Sequence, residues 1–341
     1  MTDRERVLII AEIGVNHNGD LDLAKRMVDA AANADVDVIK FQTAIPDLVQ
    51  TESAPKAKYQ TETTDAEESA MDMIAGLQFS FDEFVVLKEF VESRGKQFLS
   101  TAFDLQSLAF LASLDMRTFK IPSGEITNLP YLRAVAGYSE EVILSTGMST
   151  LAEVAAAVDA IVAAGFPRER LTVLQCNTAY PSPVDDANLR AMVSMGRDLG
   201  VGYGYSDHTE GSSAPLAAVA LGALVIEKHF TTDRSLPGPD QHASMEPEPF
   251  GRLVAGIREI ERALGSPVKS ITESERENRP IARRGVYAAR QLPAGHVLEP
   301  DDLVCLRPEN GLSPMDIDSV IGLRLVEAVP RHGSIGLDSL R

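Results

Sequence analysis

VGYGYSDHTEGSSAPLAAVALGALVIEKHF, residues 201–230, reads as strand, helix, strand. Its two ends, 201–207 and 224–230, are short apolar blocks and not strict alternations, as expected of a parallel strand covered on both faces. The alanine-rich stretch 213–222 between them carries a helical pattern. Working outward, the same unit recurs. Blocks at 7–14, 38–42, 97–103, 118–123, 141–147 and 171–176 bring the strands to eight, and helical patterns at 21–34, 81–93, 105–114, 129–138, 151–165 and 188–199 separate them, with a last one at 249–265. Eight strand–helix units in about 260 residues predict an α/β chain folded as a (β/α)8 TIM barrel. An open doubly wound sheet is the alternative, but it would not need the count to stop at eight.

The blocks end in polar or small residues: Glu12, Lys40 with Gln42, Thr101, Lys120 with Ser123, Ser145, Asn177, Ser206 with Asp207 and His208, and Glu227 with Lys228 and His229. In a barrel these converge on one mouth, where barrel active sites sit. His208 and His229 close neighbouring strands and form a half-site for Mn²⁺, Co²⁺, Fe²⁺ or Zn²⁺, with water and substrate oxygen completing it. Lys40 and Lys120 must be paired or bind an anion, because an unpaired buried ammonium is costly. With the surrounding hydroxyls they make a pocket for phosphate and carboxylate; salt bridges to Glu12, Glu125 and Glu227 are the structural alternative. Glu12, Glu125, Asp207 and Asp240 are the candidates for acid–base work. SGE (123–125) and STGMS (145–149) match neither a P-loop nor a dinucleotide fingerprint, which argues against ATP and NAD.

Of 341 residues, 44% are hydrophobic and 24% charged, and the formal net charge is −18. A field of that sign repels phosphate backbones and anionic lipid, so neither nucleic acid nor membrane is an expected partner. Two cysteines without a CxxC spacing and the absence of a leader-like apolar run point to a reducing, cytoplasmic setting. The stretch Thr43–Phe79 is too long for an ordinary βα connection; its acidic TETTDAEES faces solvent, while residues near Tyr59 could lean over the mouth, as a lid or as a mere excursion. Residues 1–269 are read as the barrel, 270–282 as a polar linker, and 283–341 as a small β-rich module punctuated by PAG and ENG turns, which needs docking to be stable.

The ordered segments AEIGVNHNGDLDLAKRMVDAA (11–31), VIKFQT (38–43), FLSTAFD (98–104), KIPSGEITNLPYLR (120–133), VILSTGMST (142–150), NTAYPSP (177–183), GYSDHTEG (204–211), IEKHFT (226–231) and LPGPD (236–240) resemble the sialic acid synthase family, the N-acylneuraminate-9-synthases. RRGVYAARQLPAGHVLEPDDLVCLRPENGLSP (283–314) is similar to the antifreeze-like or SAF domain of these enzymes. Ala102 stands where many relatives carry proline. The resemblance implies condensation of phosphoenolpyruvate with an N-acylated amino-sugar aldehyde, giving a nine-carbon 2-keto acid and phosphate. It makes His208 and His229 ligands of a divalent metal, Mn²⁺ first, with Mg²⁺ or Co²⁺ possible. Lys40, Thr101, Lys120, Ser123, Ser145, Asn177 and Ser206 hold phosphoenolpyruvate. Glu12, Gln42, Tyr180 and Asp240 surround the acceptor sugar, and Glu125 lies near the metal and its water. Arg307 reaches the acyl group of a sugar bound in the partner subunit of a domain-swapped homodimer. N-acetylmannosamine, giving N-acetylneuraminate, is the first expectation for the acceptor. The EITNLP wording (125–130) offers 2,4-diacetamido-2,4,6-trideoxymannose, giving diacetyllegionaminate, as the alternative. Pseudaminate synthesis ranks lower, and a noncatalytic carbohydrate-binding protein is the opposing class.

Overall fold

The computed structural model describes residues 6–65 and 68–341. The chain divides into two compact units, Met1–Gly265 and Ser266–Arg341, each with a hydrophobic core of its own.

The first unit contains β1 (Leu8–Gly14), β2 (Val38–Thr43), β3 (Gln97–Ala102), β4 (Thr118–Ile121), β5 (Glu141–Ser145), β6 (Leu171–Cys176), β7 (Gly202–Asp207) and β8 (Val225–His229). Their hydrogen-bonded order is β3-β2-β1-β8-β7-β6-β5-β4, with every pair parallel. First and last strands are therefore neighbours, and β3 meets β4 at the remaining seam, where Gln97 Nε2 donates to Thr118 Oγ1 at 3.4 Å. The architecture is the expected TIM barrel; the open-sheet alternative falls because β1 lies between β2 and β8.

Local chemistry sets where the strand-to-helix turns end. Asp20, Asp104 and Asn128 each accept first-turn amides of the helices that follow. Ser80 with Glu83, and Thr150 with Glu153, form reciprocal capping boxes, which satisfy otherwise orphaned N–H groups. The polar ends of the strands are thus held in register at one mouth. At the end of β1, Gly14 has φ +57°, and a Cβ there would come within 3.1 Å of both Gln42 Nε2 and Glu12 Oε1. Only glycine lets the chain turn away directly beside that pair.

The long segment after β2 forms three short helices, Pro46–Val49, Lys58–Thr63 and Ala70–Leu77. The side chain of Tyr59 lies outside the described residues. The last helix is anchored at its exit: Gln78 Oε1 accepts the Ala44 amide at 2.9 Å, and Phe79 stacks on His17 with centroids 4.1 Å apart.

In the second unit β9 (Gly285–Ala288) pairs antiparallel with β10 (Leu303–Leu306) over a small core that includes Val286, Leu292, Leu298, Leu325 and Ile335. Gly311 of the ENG turn, at φ +71°, approaches the Ile335 carbonyl so closely that a Cβ would lie 2.5 Å from it. The stretch expected to be a plain linker carries two short helices, Glu273–Arg276 and Asn278–Ala282, the first started by a Thr272–Glu275 capping box. Among the described residues no helix is long and apolar enough to cross a membrane.

Candidate active site

The mouth of the barrel is built on four buried charges. Glu12, Lys40, Lys120 and Glu227 are 1%, 3%, 4% and 4% exposed. Lys40 Nζ lies 2.8 Å from Glu12 Oε2 and 3.6 Å from Glu227 Oε2, and Lys120 Nζ lies 2.9 Å from Glu227 Oε1. Register brings them together, since Glu12 pairs with Lys40 across β1–β2 and Ser206 with Glu227 across β7–β8. Lys40 also donates to Thr101 Oγ1 at 3.1 Å, Gln42 Nε2 to Glu12 Oε1 at 2.9 Å, and Ser206 Oγ to Glu227 Oε1 at 3.0 Å. Burial disfavours charge on Lys40, but Glu12 and Glu227 outweigh it and hold the ammonium above its usual range. Burial likewise opposes charge on Glu227, yet Lys120 and Lys40 hold its carboxyl far below the usual value. Glu12 moves the other way: burial, joined by repulsion from Glu227, raises it despite Lys40. The Lys40 ammonium and the firmly ionised Glu227 carboxylate therefore lie beside one carboxyl, that of Glu12, which is easier to protonate than usual.

His208 and His229 stand with ring centroids 5.2 Å apart. Burial lowers His208 to about 4 and, together with His208 and Lys40, holds His229 well below its usual value. Both imidazoles are neutral near pH 7. His208 Nδ1 meets the Asn177 carbonyl at 2.5 Å; because a carbonyl only accepts, the proton sits on Nδ1 and Nε2 keeps its lone pair. His229 Nδ1 is buried without a hydrogen-bond partner, 3.7 Å from Asp240 Oδ2. Burial, and next the charge of Glu12, raise Asp240 to about 7. The Tyr180 ring lies tilted against His208, with centroids 4.1 Å apart. Two neutral, buried imidazoles with lone pairs to spare suit a divalent cation. Among the described residues no group of three or more His, Cys, Asp or Glu side chains converges as a cation cage.

These groups border one cavity of about 790 Å³, lined by Glu12, Lys40, Gln42, Thr101, Lys120, Ser123, Ser145, Tyr180, Ser206, His208, His229 and Asp240 among others. Ser145 Oγ is buried there without a partner. Two expected members of the first unit lie outside that lining. Glu125 is not in the lining; it sits in a 3-10 turn, where its Oε2 accepts from Asn128 Nδ2 at 2.6 Å. Asn177 is not in the lining either: its Oδ1 caps its own loop by accepting the Ala179 amide at 2.7 Å, and only its carbonyl touches His208. Arg307 is exposed just after β10, in the second unit. Asp207, a candidate acid–base group, is bound instead to Lys228 Nζ at 2.5 Å. Strand alternation explains it: Ser206 and His208, like Glu227 and His229, share a parity along their strands opposite to that of Asp207 and Lys228. Glu227 is expected from sequence only as a salt-bridge partner at a strand end, and that alternation is the signal that places it in the site. Not expected from sequence is an apolar wall formed by Val49, Met73, Ile74 and Leu77.

A barrel mouth that combines buried lysines, hydroxyls and a neutral histidine pair defines an enzyme for an anionic substrate and a second, polar one. The chain belongs to the NeuB family, whose profile matches residues 27–269, and a SAF domain match covers 283–341. It is 42% identical to N,N'-diacetyllegionaminic acid synthase of Campylobacter jejuni, over 93% of this chain and 95% of that one. Identity to the synthase of the same name in Legionella pneumophila is 43%, over 93% and 90%. Among solved structures, the N-acetylneuraminic acid (sialic acid) synthetase of Leptospira borgpetersenii superposes with a TM-score of 0.69 at 36% identity, covering 80% of this chain and 90% of that one.

Proposed function

We propose that this protein is an N,N'-diacetyllegionaminate synthase, condensing phosphoenolpyruvate and water with 2,4-diacetamido-2,4,6-trideoxymannose and releasing phosphate. The observation that carries this reading is the 42% and 43% identity with two synthases of that name across 93% of the chain, joined to a mouth whose buried lysines suit an anion. N-acetylmannosamine, the first expectation from sequence, gives way to the diacetamido sugar on the same comparison.

Lys40 and Lys120 bind the phosphate and carboxylate of phosphoenolpyruvate, and the unpartnered Ser145 hydroxyl donates to one of their oxygens. Glu12, whose carboxyl burial makes easier to protonate than usual, takes up a proton as the anion enters, which keeps the buried charge balanced. C3 of phosphoenolpyruvate attacks the open-chain aldehyde, water adds at C2, and phosphate leaves with cleavage of the C–O bond. Gln42, Tyr180 and Asp240 orient the acceptor so that its aldehyde carbon faces C3. His208 and His229 would hold a divalent cation, Mn²⁺ or else Mg²⁺ or Co²⁺, which when bound supplies Lewis-acid polarisation of the aldehyde oxygen. Two free thiols, Cys176 and Cys305, support action in the cytoplasm.

The test supplies phosphoenolpyruvate and Mn²⁺ with each sugar in turn and follows free phosphate and product mass. The diacetamido sugar should give a kcat/KM at least about tenfold above N-acetylmannosamine, which corresponds to about 1.4 kcal/mol, and chelation should stop both. Preference for N-acetylmannosamine would overturn the acceptor assignment, and turnover indifferent to chelation would remove the metal from the mechanism.

The same reading includes a homodimer in which the terminal module of one chain covers the barrel mouth of its partner. Its support is the family resemblance at Arg307 and the small core of the module, which docking would stabilise. Mixing Arg307→Ala chains with His208→Ala chains after reversible dissociation should restore activity towards half of wild type in the mixed dimer, because one mouth then receives both defects and the other none. Chain exchange without recovery would reject the crossed arrangement.

A further inference from the structure

Resting on the acceptor reading above, we infer that the helix Ala70–Leu77 selects the acceptor: Met73, Ile74 and Leu77 form a wall that receives the C6 methyl and the 4-acetamido methyl of a deoxygenated amino sugar. The three residues have i, i+1, i+4 spacing, which places them on one face of the helix, and all three line the cavity that also holds Lys40 and His208. Val49 extends the wall from the first helix of the same segment. The cavity is thus bordered by charged and hydroxyl groups at the strand ends and, on the long segment after β2, by an apolar surface flanked by Gln60 and Gln78, whose Oε1 atoms accept the Ala57 and Ala44 amides.

The wall is held in place. Its helix starts at Ser69, whose side chain accepts the Asp72 amide, and ends where Gln78 Oε1 accepts the Ala44 amide at 2.9 Å. The Gly76 carbonyl rests on Gly19, where a Cβ would lie only 2.7 Å away. Ala44 follows Lys40 and Gln42 on the β2 side, roughly 13 Å along an extended chain from Lys40 at ~3.3 Å per residue. An acceptor whose aldehyde lies among the lysines and histidines thus has its far end, C4 to C6, directed to the wall. There a methyl group loses water at no polar cost. A C6 hydroxyl would give up its water against Ile74 and Leu77, whose side chains offer no hydrogen bond in return.

Hydrophobic discrimination of this kind is worth roughly 10- to 200-fold in kcat/KM. Ile74 and Leu77 are only half-buried, so polar replacements there keep a route to solvent. The experiment compares wild type, Ile74→Gln, Leu77→Gln and the shape-conserving Ile74→Leu on the diacetamido sugar, N-acetylmannosamine and its 6-deoxy analogue, with melting temperatures as a control. In the two Gln variants the preference for the diacetamido sugar should fall about tenfold, through a higher KM for that sugar with the KM for phosphoenolpyruvate unchanged. The 6-deoxy analogue should fall between the other sugars in wild type, and Ile74→Leu should keep the wild-type ratio. A wild-type preference that survives both Gln substitutions in folded protein overturns the wall while leaving the acceptor reading intact. A wild type that prefers N-acetylmannosamine overturns both.

Discussion

Alanine at His208 or His229 is expected to lower kcat by roughly 10²–10³-fold, the scale of losing one electrostatic stabiliser of a developing oxyanion, and to abolish Mn²⁺ binding measured by calorimetry on the substrate-free protein. Both rings are buried and neutral, lowered by burial to about 4 at His208 and well below the usual value at His229. Both rings are almost fully buried, and His208 also gives its Nδ1 proton to the Asn177 carbonyl, so truncation costs packing as well and the melting temperature of each variant is measured beside its kinetics. The Asn177 carbonyl fixes the proton of His208 on Nδ1, and Nε2 remains available as a donor atom. Lys120→Met supplies the contrast: its Nζ bonds Glu227 and not the histidines, so that variant should raise the KM for phosphoenolpyruvate with Mn²⁺ affinity retained. Wild-type Mn²⁺ affinity in both histidine variants would sink the assignment. Identical kinetic defects in all three variants would point to misfolding in place of separate roles.

The eight strands and their helices were legible because their signals are local: continuous apolar blocks mark strands covered on both faces, and Ser80 with Glu83 or Thr150 with Glu153 mark where helices begin. The lysine and histidine positions were legible because strand ends in this fold share one mouth. Less was legible where a polar residue chooses between the cavity and its own loop. Asn177 and Glu125 sit in the family's motifs, yet each satisfies a neighbour within three residues, a local bond that competes with any ligand. Nor does SDH or EKH say which of its charges faces inward until the register pairs Ser206 with Glu227 and Asp207 with Lys228. The apolar wall was hidden for another reason. Its helix has eight residues, too few for a periodic signal, and it follows the acidic stretch that reads as solvent-exposed.

Lys228→Met is expected to destabilise the barrel by about 3–5 kcal/mol, the cost of leaving one partner of a buried ion pair uncompensated. Lys228 and Asp207 are 2% and 1% exposed. The ammonium bonds Asp207 Oδ2 at 2.5 Å and the Thr209 carbonyl at 2.7 Å, while Asp207 Oδ1 accepts both the amide and the hydroxyl of Thr209 at 2.8 Å. Without Lys228 the buried carboxylate keeps the Thr209 donors but loses the countercharge that the ammonium supplies. Asp207→Asn inverts the problem and strands the ammonium. The double variant, Lys228→Met with Asp207→Asn, removes both charges while an amide oxygen still accepts from Thr209, so it should be more stable than either single variant and recover at least about half of the loss. Urea unfolding midpoints for the four proteins give the coupling directly. Single losses below about 1 kcal/mol, or a double variant that merely adds the two losses, would mean that the pair is not held as a buried charge couple. The placement raises the stakes of the result, since Asp207 and Lys228 immediately adjoin His208 and His229 in the chain. A fault in this brace acts on the two strand ends that set the spacing of the histidines, whereas the lysine–glutamate cluster on the inner face has its own bonds through Glu12, Thr101 and Ser206.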